Sequence, residues 1–190
     1  MKLATFCVLV FGCTGLYAVR SFVPVQRAYF SPHIRNVLAS MIEQERKSIH
    51  VAAYTMTDPT VARSLVAAAR RGVNVNIIVD PYTAAASNSK IKNLLALYNV
   101  HLYQFVSDHP QGSIMHHKFL LFGHNDFYDV TKHNKHKCLT MTGSCNVTTA
   151  AYSRNCENML VINDVNIFES YLQEFRSVKQ SCVRLSKVGK

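Results

Sequence analysis

Acidic residues are scarce in this sequence relative to basic ones. Its 190 residues include 11 aspartates and glutamates against 21 lysines and arginines, which gives a formal net charge of +10 at pH 7. A chain this basic suggests a polyanionic partner, either nucleic acid or an anionic membrane. Charge alone does not separate these two partners, and it is also compatible with a basic surface that is merely well solvated.

Closely spaced cysteine pairs and long internal repeats are both absent. None of the six cysteines forms a CxxC pair, so a cysteine-rich zinc site has weak support. An even number lies beyond the N-terminal segment, which in an exported protein permits disulfides without showing them. These four are Cys138, Cys145, Cys156 and Cys182. Without repeats, a chain of this length fits one domain with a proper core.

An apolar N-terminus sets residues 1–20 apart. One lysine precedes the apolar run Leu3–Val10, and small residues follow as far as Ala18, which is typical of a secretory signal cleaved near Ala18. On this interpretation the mature protein is secreted or periplasmic, and residues 19–190 form a single domain. Two alternatives remain: a lipoprotein-type cleavage box at Val10–Cys13, and an uncleaved membrane anchor, for which the segment is short.

Helical and strand patterns alternate along the rest of the chain. Helices are predicted to begin at Ser31-Pro32, Asp58-Pro59 and Asn163-Asp164, where a capping side chain opens an apolar-periodic segment. Shorter helices are predicted at 91–97 and 148–153. Apolar strands are predicted at 49–54, 73–80, 100–105, 115–122, 138–142 and 158–162. The alternation predicts an α/β fold, an α-β-α sandwich with a mixed, largely parallel central sheet.

The strand predicted at 115–122 begins with a polar triplet. Because strand residues alternate between faces, His116 and Lys118 point the same way and His117 points the other way. A lysine is costly to bury there without an anionic partner. The simplest interpretation of the triplet alone is a strand end whose polar residues meet solvent.

Two later groups of polar residues also fall at predicted strand ends or turns, where α/β sheets usually build their sites. Ser144 and Asn146 lie in a tight turn, and Glu157 precedes a strand. A neutral imidazole from His116 can act as a nucleophile, and its orientation can be fixed by a carboxylate. The ammonium of Lys118, a hydroxyl and an amide can hold the oxygens of a phosphorus centre. The set therefore suits cleavage of a phosphodiester without a metal ion or other cofactor.

Each of these residues also has a purely structural interpretation. Ser144 and Asn146 are common turn formers, and Glu157 is either a surface carboxylate or the group that orients His116. His117 is expected to belong to the core or to support the site rather than to react. Tyr152 and Arg154 either contact substrate or pack and solvate the end of the fold.

A histidine-rich segment, 123–137, offers an alternative metal site. Its candidate ligands are His124, His133, His136 and Cys138. We interpret this segment as a solvated loop between two strands of a hairpin, because its composition is polar and charged.

The residues singled out above resemble a known family pattern. The pattern comprises His116-x-Lys118, Gly143-Ser144-x-Asn146, Glu157-Asn158 before an apolar strand, and the stretches 52–57 and 71–80. Together they resemble the phospholipase D superfamily over roughly residues 29–182. The resemblance is to small single-motif members, namely exported bacterial endonucleases and zucchini-type mitochondrial enzymes described as cardiolipin hydrolases or nucleases.

The resemblance implies a mechanism and an assembly. Two motifs make one site in this family, so a chain with one motif is expected to form a homodimer with the site at the two-fold axis. One His116 would attack phosphorus to give a phosphohistidine, and the second, protonated, would donate to the leaving oxygen. The implied catalytic residues are His116, Lys118, Asn146 and Glu157, and the implied substrate ligands are Lys118, Ser144 and Asn146.

The sequence departs from the family motif at one position. The motif is HxKxxxxD, and Gly123 stands where the aspartate is expected. Asp126 and Asp129 in the following loop are candidates to replace it. The departure leaves open an inactive, nucleic-acid-binding relative.

The preferred hypothesis is a nuclease acting on single strands, because the apolar residues follow core periodicities and leave no obvious surface for acyl chains. The alternative is a phospholipase D acting on cardiolipin or phosphatidyl lipids.

Overall fold

The computed structural model describes residues 26–85, 94–95, 97–109, 111–128 and 136–186. The predicted signal or anchor segment and most of the helix predicted at 91–97 lie outside these residues. None of the described helices is long and apolar enough to cross a membrane.

The centre of the molecule is one eight-stranded sheet. Its strands are β1 Gln26–Phe30, β2 Ser48–Ala53, β3 Asn74–Val79, β4 Val100–Phe105, β5 Lys118–Phe122, β6 Leu139–Gly143, β7 Asn158–Ile162 and β8 Cys182–Leu185. They lie in the order β1-β7-β6-β5-β2-β3-β4-β8. The sheet is mixed, as predicted, but its predicted largely parallel character is wrong. Only β2–β3 and β3–β4 pair in parallel among the described strands, and the other neighbours are antiparallel.

Short connections explain the antiparallel half of the sheet. A parallel neighbour requires a crossover long enough to return the chain to the starting edge. Between β6 and β7 the only helix is α4, Thr149–Ser153, which has five residues. It stays at one edge, so β7 runs back antiparallel to β6.

Helices cover both faces of the sheet, which confirms the predicted α/β sandwich. Helices α1 Ile34–Gln44 and α2 Pro59–Arg70 pack on one face, where their apolar residues form the larger core with Ile49 and Val51 of β2. Helix α5, Val165–Gln180, packs on the other face against Ala52 and its neighbours. The alternation of Val51 and Ala52 between these cores is the two-residue period expected of a strand.

Two of the three predicted helix caps are present. Asp58 Oδ1 accepts hydrogen bonds from the amides of Thr60 (2.9 Å) and Val61 (3.0 Å), and the Asp164 side chain caps α5 in the same way. The predicted start at Ser31-Pro32 is wrong. The Ser31 hydroxyl donates to the Ala151 carbonyl at 2.8 Å instead, and α1 begins at Ile34.

Three described elements were absent from the sequence prediction. The edge strands β1 and β8 have mainly exposed side chains, so they carry no clear apolar alternation. The third is the short helix α3, Pro81–Ala85, in which proline occupies the first helical position. The four cysteines beyond the N-terminal segment are free thiols, and Cys138 and Cys145 are buried.

Candidate active site

The three predicted groups of polar residues meet at one edge of the sheet. Lys118 begins β5, Gly143 ends β6 and Asn158 begins β7. These strands are antiparallel neighbours, with Phe119 paired to Thr142 and Gly143 to Met159. The start of one strand therefore lies beside the end of the next. His116, Ser144 and Glu157 are each within two residues of these strand ends, so the fold gathers them at the same edge.

Lys118 holds the exposed His116 through two contacts. Its Nζ lies 3.1 Å from His116 Nδ1 and donates to the His116 carbonyl oxygen at 2.7 Å. Partial burial lowers the pKa of the Lys118 ammonium, and the nearby Glu157 carboxylate opposes that shift. Glu157 therefore supplies the anionic neighbour that a half-buried lysine requires.

Within one chain Glu157 bonds to Ser144 and Asn155 rather than to His116, so its orienting role stays a prediction. Its Oε2 accepts a short hydrogen bond from the Ser144 hydroxyl, and its Oε1 accepts one from Asn155 Nδ2 at 3.1 Å. The Ser144 hydroxyl in turn accepts the amide hydrogen of Asn158 at 3.1 Å. Ser144 is thus fixed between the turn and β7, and the ring of His116 is left to Lys118.

Asn146 lies in a turn whose backbone is hydrogen-bonded to the segment that follows β2. The Val147 carbonyl accepts hydrogen bonds from the amides of Thr57 (2.9 Å) and Asp58 (3.1 Å), and the Val147 amide donates to Thr55 O at 3.0 Å. The side-chain oxygen Oδ1 of Asn146 is buried and has no hydrogen-bond partner among the described residues. A buried amide oxygen without a partner is costly, so this amide is a strong candidate for a ligand-binding group.

Gly143 allows β6 and β7 to approach closely at the site. A Cβ atom at this position would overlap the Asn158 carbonyl oxygen and lie 2.9 Å from Met159 Cα. Both neighbours are backbone, so neither can move aside without separating the strands. Glycine is required at this position so that the backbones of β6 and β7 can lie close together, and their closeness brings the Ser144 hydroxyl against the Asn158 amide.

Three other residues considered in the sequence, His117, Tyr152 and Arg154, lie apart from the Lys118–His116 contact. His117 is not a core residue: its side chain is 43% exposed, and its Nε2 lies 2.9 Å from Oε1 of Glu174 on α5. It faces α5, away from Lys118, as the strand alternation predicts. Tyr152 is buried in the larger core and packs there, whereas Arg154 is exposed.

An aromatic group at this edge was missed by the sequence analysis. Tyr54 follows β2, and its ring centroid lies 4.7 Å from that of His116 and 6.2 Å from that of Tyr82, which follows β3. Lys118 Nζ lies 5.4 Å from the centroid of the Tyr54 ring. The available signal was position, because Tyr54 directly follows β2 and Tyr82 lies in α3 just after β3, and the carboxyl ends of parallel strands are the usual place for sites.

Open space lies beside this group. A cavity of about 430 Å³ on the α5 side of His116 is lined by residues of β5, β6 and α5. A larger cavity of about 630 Å³ lies at the opposite edge, around Lys47, His50 and Arg176. His116, Lys118 and Gly143 line the smaller cavity, whereas Ser144, Asn146 and Glu157 are not among its lining residues.

The alternative metal site finds no support in the described residues. No group of three or more His, Cys, Asp or Glu side chains there is placed to hold a metal ion. His133, one of the four candidate ligands, lies outside the described residues.

Comparison with known proteins identifies the family. A family model described as "Cardiolipin synthase, PLD-like domain" matches residues 38–179. The chain belongs to this phospholipase D-like family. Among its relatives, a phospholipase D of Rickettsia conorii is 33% identical over 145 residues, which cover 76% of this chain and 63% of that protein. A mitochondrial cardiolipin hydrolase of Xenopus laevis is 30% identical over 148 residues, covering 76% and 61%. The chain thus spans about three fifths of the length of these relatives.

Solved structures show the same fold. Nuc from Salmonella typhimurium, a phospholipase D family member, superposes with a TM-score of 0.70 at 27% identity, over 87% of this chain and all of Nuc. NucT from Helicobacter pylori gives a TM-score of 0.73 at 21% identity, over 86% of this chain and all of NucT. The mixed sheet flanked by helices is therefore the phospholipase D fold.

The missing motif aspartate of this phospholipase D-like chain falls far from His116. Gly123 follows the far end of β5, a strand that spans about 17 Å. Its amide donates to Ser48 O at 2.9 Å, and a Cβ there would lie 2.5 Å from Ser48 Oγ. Of the two candidate replacements, Asp126 pairs with Arg46 and Lys137, and Asp129 lies outside the described residues.

The buried carboxylate of Glu45, which follows α1, binds the backbone around Gly123. Glu45 Oε1 accepts hydrogen bonds from the amides of Lys47 (2.8 Å), Ser48 (3.0 Å) and His124 (2.8 Å). Burial raises the pKa of Glu45, and these backbone hydrogen bonds oppose the rise. The departure at Gly123 thus concerns the packing of the opposite edge and leaves the groups around His116 in place.

Proposed function

We propose that this protein is a phosphodiesterase that works through a phosphohistidine at His116 and needs no metal ion. The observation that carries the proposal is the convergence of His116, Lys118, Ser144, Asn146 and Glu157 at one sheet edge of a phospholipase D-like chain. It combines a nucleophile, a cation, a hydroxyl, an amide and a carboxylate at the ends of neighbouring strands. The names of the relatives, phospholipase D and cardiolipin hydrolase, support the same bond class.

The proposed reaction has two displacements at phosphorus. A ring nitrogen of His116 forms a bond to phosphorus while the bond to the leaving oxygen breaks, and a protonated second histidine gives its proton to that oxygen. Water then attacks the phosphohistidine, loses a proton to the second histidine and releases His116. Lys118 and the NH₂ group of Asn146 stabilise the negative charge on the non-bridging oxygens in both steps.

We further propose that the second histidine comes from another copy of the chain. In one chain Lys118 donates toward His116 Nδ1, which leaves the proton of a neutral ring on Nε2 and makes that nitrogen a poor nucleophile. A carboxylate facing Nδ1 would reverse this tautomer. Glu157 bonds to Ser144 and Asn155 of its own chain, so a two-fold axis that brings it against the partner's His116 would complete the one site that the two chains share.

Nucleic acid is the substrate class that we favour. The net charge of +10 supplies attraction to a phosphate backbone. The second candidate is an anionic phospholipid such as cardiolipin, which the names of the relatives favour. The third is an inactive relative that binds nucleic acid. The presence of His116, Lys118, Asn146 and Glu157 argues against it.

A substrate panel separates these functions. The chain without residues 1–18 is offered single-stranded DNA, RNA and cardiolipin vesicles, each in EDTA. We expect cleavage of nucleic acid that weakens as salt rises, because backbone binding releases counterions. Cleavage of cardiolipin alone would show a phospholipase D instead of a nuclease, and salt-sensitive DNA binding without any cleavage would favour the inactive relative.

A further inference from the structure

A row of aromatic rings leads away from His116 along the active edge, the side of the sheet where Lys118, Gly143 and Asn158 lie. The rings of Tyr54 and Tyr82 are nearly parallel, with an interplanar angle of 13° and centroids 6.2 Å apart. Tyr54 in turn lies 4.7 Å from the ring of His116. Tyr82 is 65% exposed. A large, exposed aromatic ring that is linked to His116 through Tyr54 offers a flat surface close to the proposed nucleophile.

The row is fixed to the same framework as the nucleophile. The buried carboxylate of Asp80 accepts the Tyr82 amide hydrogen at 2.9 Å on Oδ1 and the Met115 amide hydrogen at 3.0 Å on Oδ2. The hydroxyl of Thr83 donates to the Tyr54 carbonyl oxygen at 2.6 Å. One carboxylate thus ties Tyr82 to the residue before His116, so the distance between ring and nucleophile is set before substrate arrives.

We propose that Tyr82, supported by Tyr54, forms a stacking subsite for one unpaired nucleobase of the strand whose phosphate lies at His116. This inference rests on the proposed nuclease function. A base has a flat π-face that matches an exposed tyrosine, and such stacking tolerates any base sequence. The two centroid distances place the subsite one or two nucleotides from the scissile phosphate. A base held there has left its neighbours and its complement, so the subsite selects single strands over duplex.

The surroundings of the subsite favour a base over an acyl chain. An acyl chain is bound by an enclosed apolar groove, whereas Tyr82 is a single open face. The adjoining Lys118 ammonium lies over the Tyr54 ring at 5.4 Å, which keeps a cation beside the stack for the backbone phosphate.

The test compares a short single-stranded DNA with the same strand carrying an abasic residue at each position in turn. Both strands have the same phosphates and charge, so their kcat/KM ratio isolates the contribution of one base. We expect the ratio to favour the intact strand by about tenfold at one position next to the cleaved bond, as one stacked base is worth. Tyr82→Leu brings that ratio close to one, and Tyr82→Phe retains it. Tyr98→Leu is the matched control, because Tyr98 is 88% exposed and lies before β4 at the opposite edge.

A binding measurement gives a second readout without turnover. In the His116→Ala protein, 2-aminopurine at the selected position should lose fluorescence as it stacks, and adding Tyr82→Leu should restore that fluorescence. Nuclease activity that ignores base removal at every position, or a ratio that Tyr82→Leu leaves unchanged, overturns the subsite alone. Cleavage of cardiolipin with none of either strand overturns the nuclease function and the subsite with it.

Discussion

His116 and His117 are adjacent in the chain and have different surroundings. The first is exposed beside Lys118 at the active edge, and the second pairs with Glu174 on α5. We expect His116→Ala to lower kcat by about 10³-fold or more, because it removes the nucleophile. Its thermal unfolding should remain within a few degrees of wild type, since an exposed side chain contributes little to the core.

His117→Ala is the matched control for this change. An ion pair between two half-exposed side chains contributes about 0–1 kcal/mol, so its effect should fall on stability rather than on kcat. Steady-state kinetics and melting curves of both variants check the pair. Retention of most activity by His116→Ala would show that another residue attacks phosphorus.

The residues proposed to react could be singled out from the sequence, but their hydrogen-bond partners could not. Short motifs with a fixed spacing can be recognised in the sequence alone, and they contain His116, Lys118, Ser144 and Asn146. The bond between Glu157 and Ser144 depends on how closely β7 approaches β6, which is a property of the packed sheet. Tyr82 belongs to no motif, and an exposed tyrosine becomes informative only when its contact with Tyr54, and through it with His116, is known.

Strand β2 carries a partly buried histidine, His50, which should make the stability of the protein depend on pH. The ring of His50 packs edge-on against Phe175 at 5.0 Å, and its Nδ1 has no partner among the described residues. Burial lowers the pKa of His50 to about 4, and the charges of Arg176 and Lys179 add to the shift. In the unfolded chain the imidazole titrates near 6.5, so between pH 6.5 and 4 only the unfolded state takes up this proton.

His50 should therefore destabilise the protein in acid. Its contribution is fully present above pH 6.5 and is lost as the pH falls toward 4, by about 3 kcal/mol at most. His50→Gln should flatten the fall in melting temperature between pH 7 and pH 5, whereas His33→Gln, at an exposed position, should leave it unchanged. Parallel pH curves for wild type and His50→Gln would show that other groups govern acid unfolding.

The junction of β6 and β7 depends on Gly143. In Gly143→Ala the added methyl group meets the backbone of Asn158 and Met159, so the strands must separate. We expect a loss of about 2–4 kcal/mol in stability and a fall in activity, because Ser144 and Asn146 follow directly. Urea unfolding measures the first effect and kcat the second. Gly112→Ala, in a loop outside the strands, should leave kcat close to wild type.

The elements with a strong apolar period were predictable, and those at the edges of the sheet were not. Strands β3, β4 and β7 and helices α2 and α5 present a buried face, which fixes their period in the sequence. Strands β1 and β8 are mainly exposed, so they follow from pairing rather than from pattern. Strand direction was also not readable, because it depends on whether a connection crosses the sheet.

At the scale of the whole molecule, the account requires two copies of the chain. Light scattering should find the active species to be a dimer, since each site is proposed to use two histidines. Mixing His116→Ala subunits with subunits inactivated at Lys118 should not restore a normal site. A fully active monomer would contradict this assembly and require the second proton donor to come from the same chain.

The central claim is the covalent bond between His116 and phosphorus. Protein turning over single-stranded DNA in EDTA is quenched in alkali, where a phosphohistidine survives, and its peptides are weighed by mass spectrometry. We predict a nucleotide-bearing phosphoryl group on the peptide that contains His116, labile to acid and absent from His116→Ala. A protein that turns over substrate while His116 stays unmodified, or that carries the group on another residue, would contradict the account.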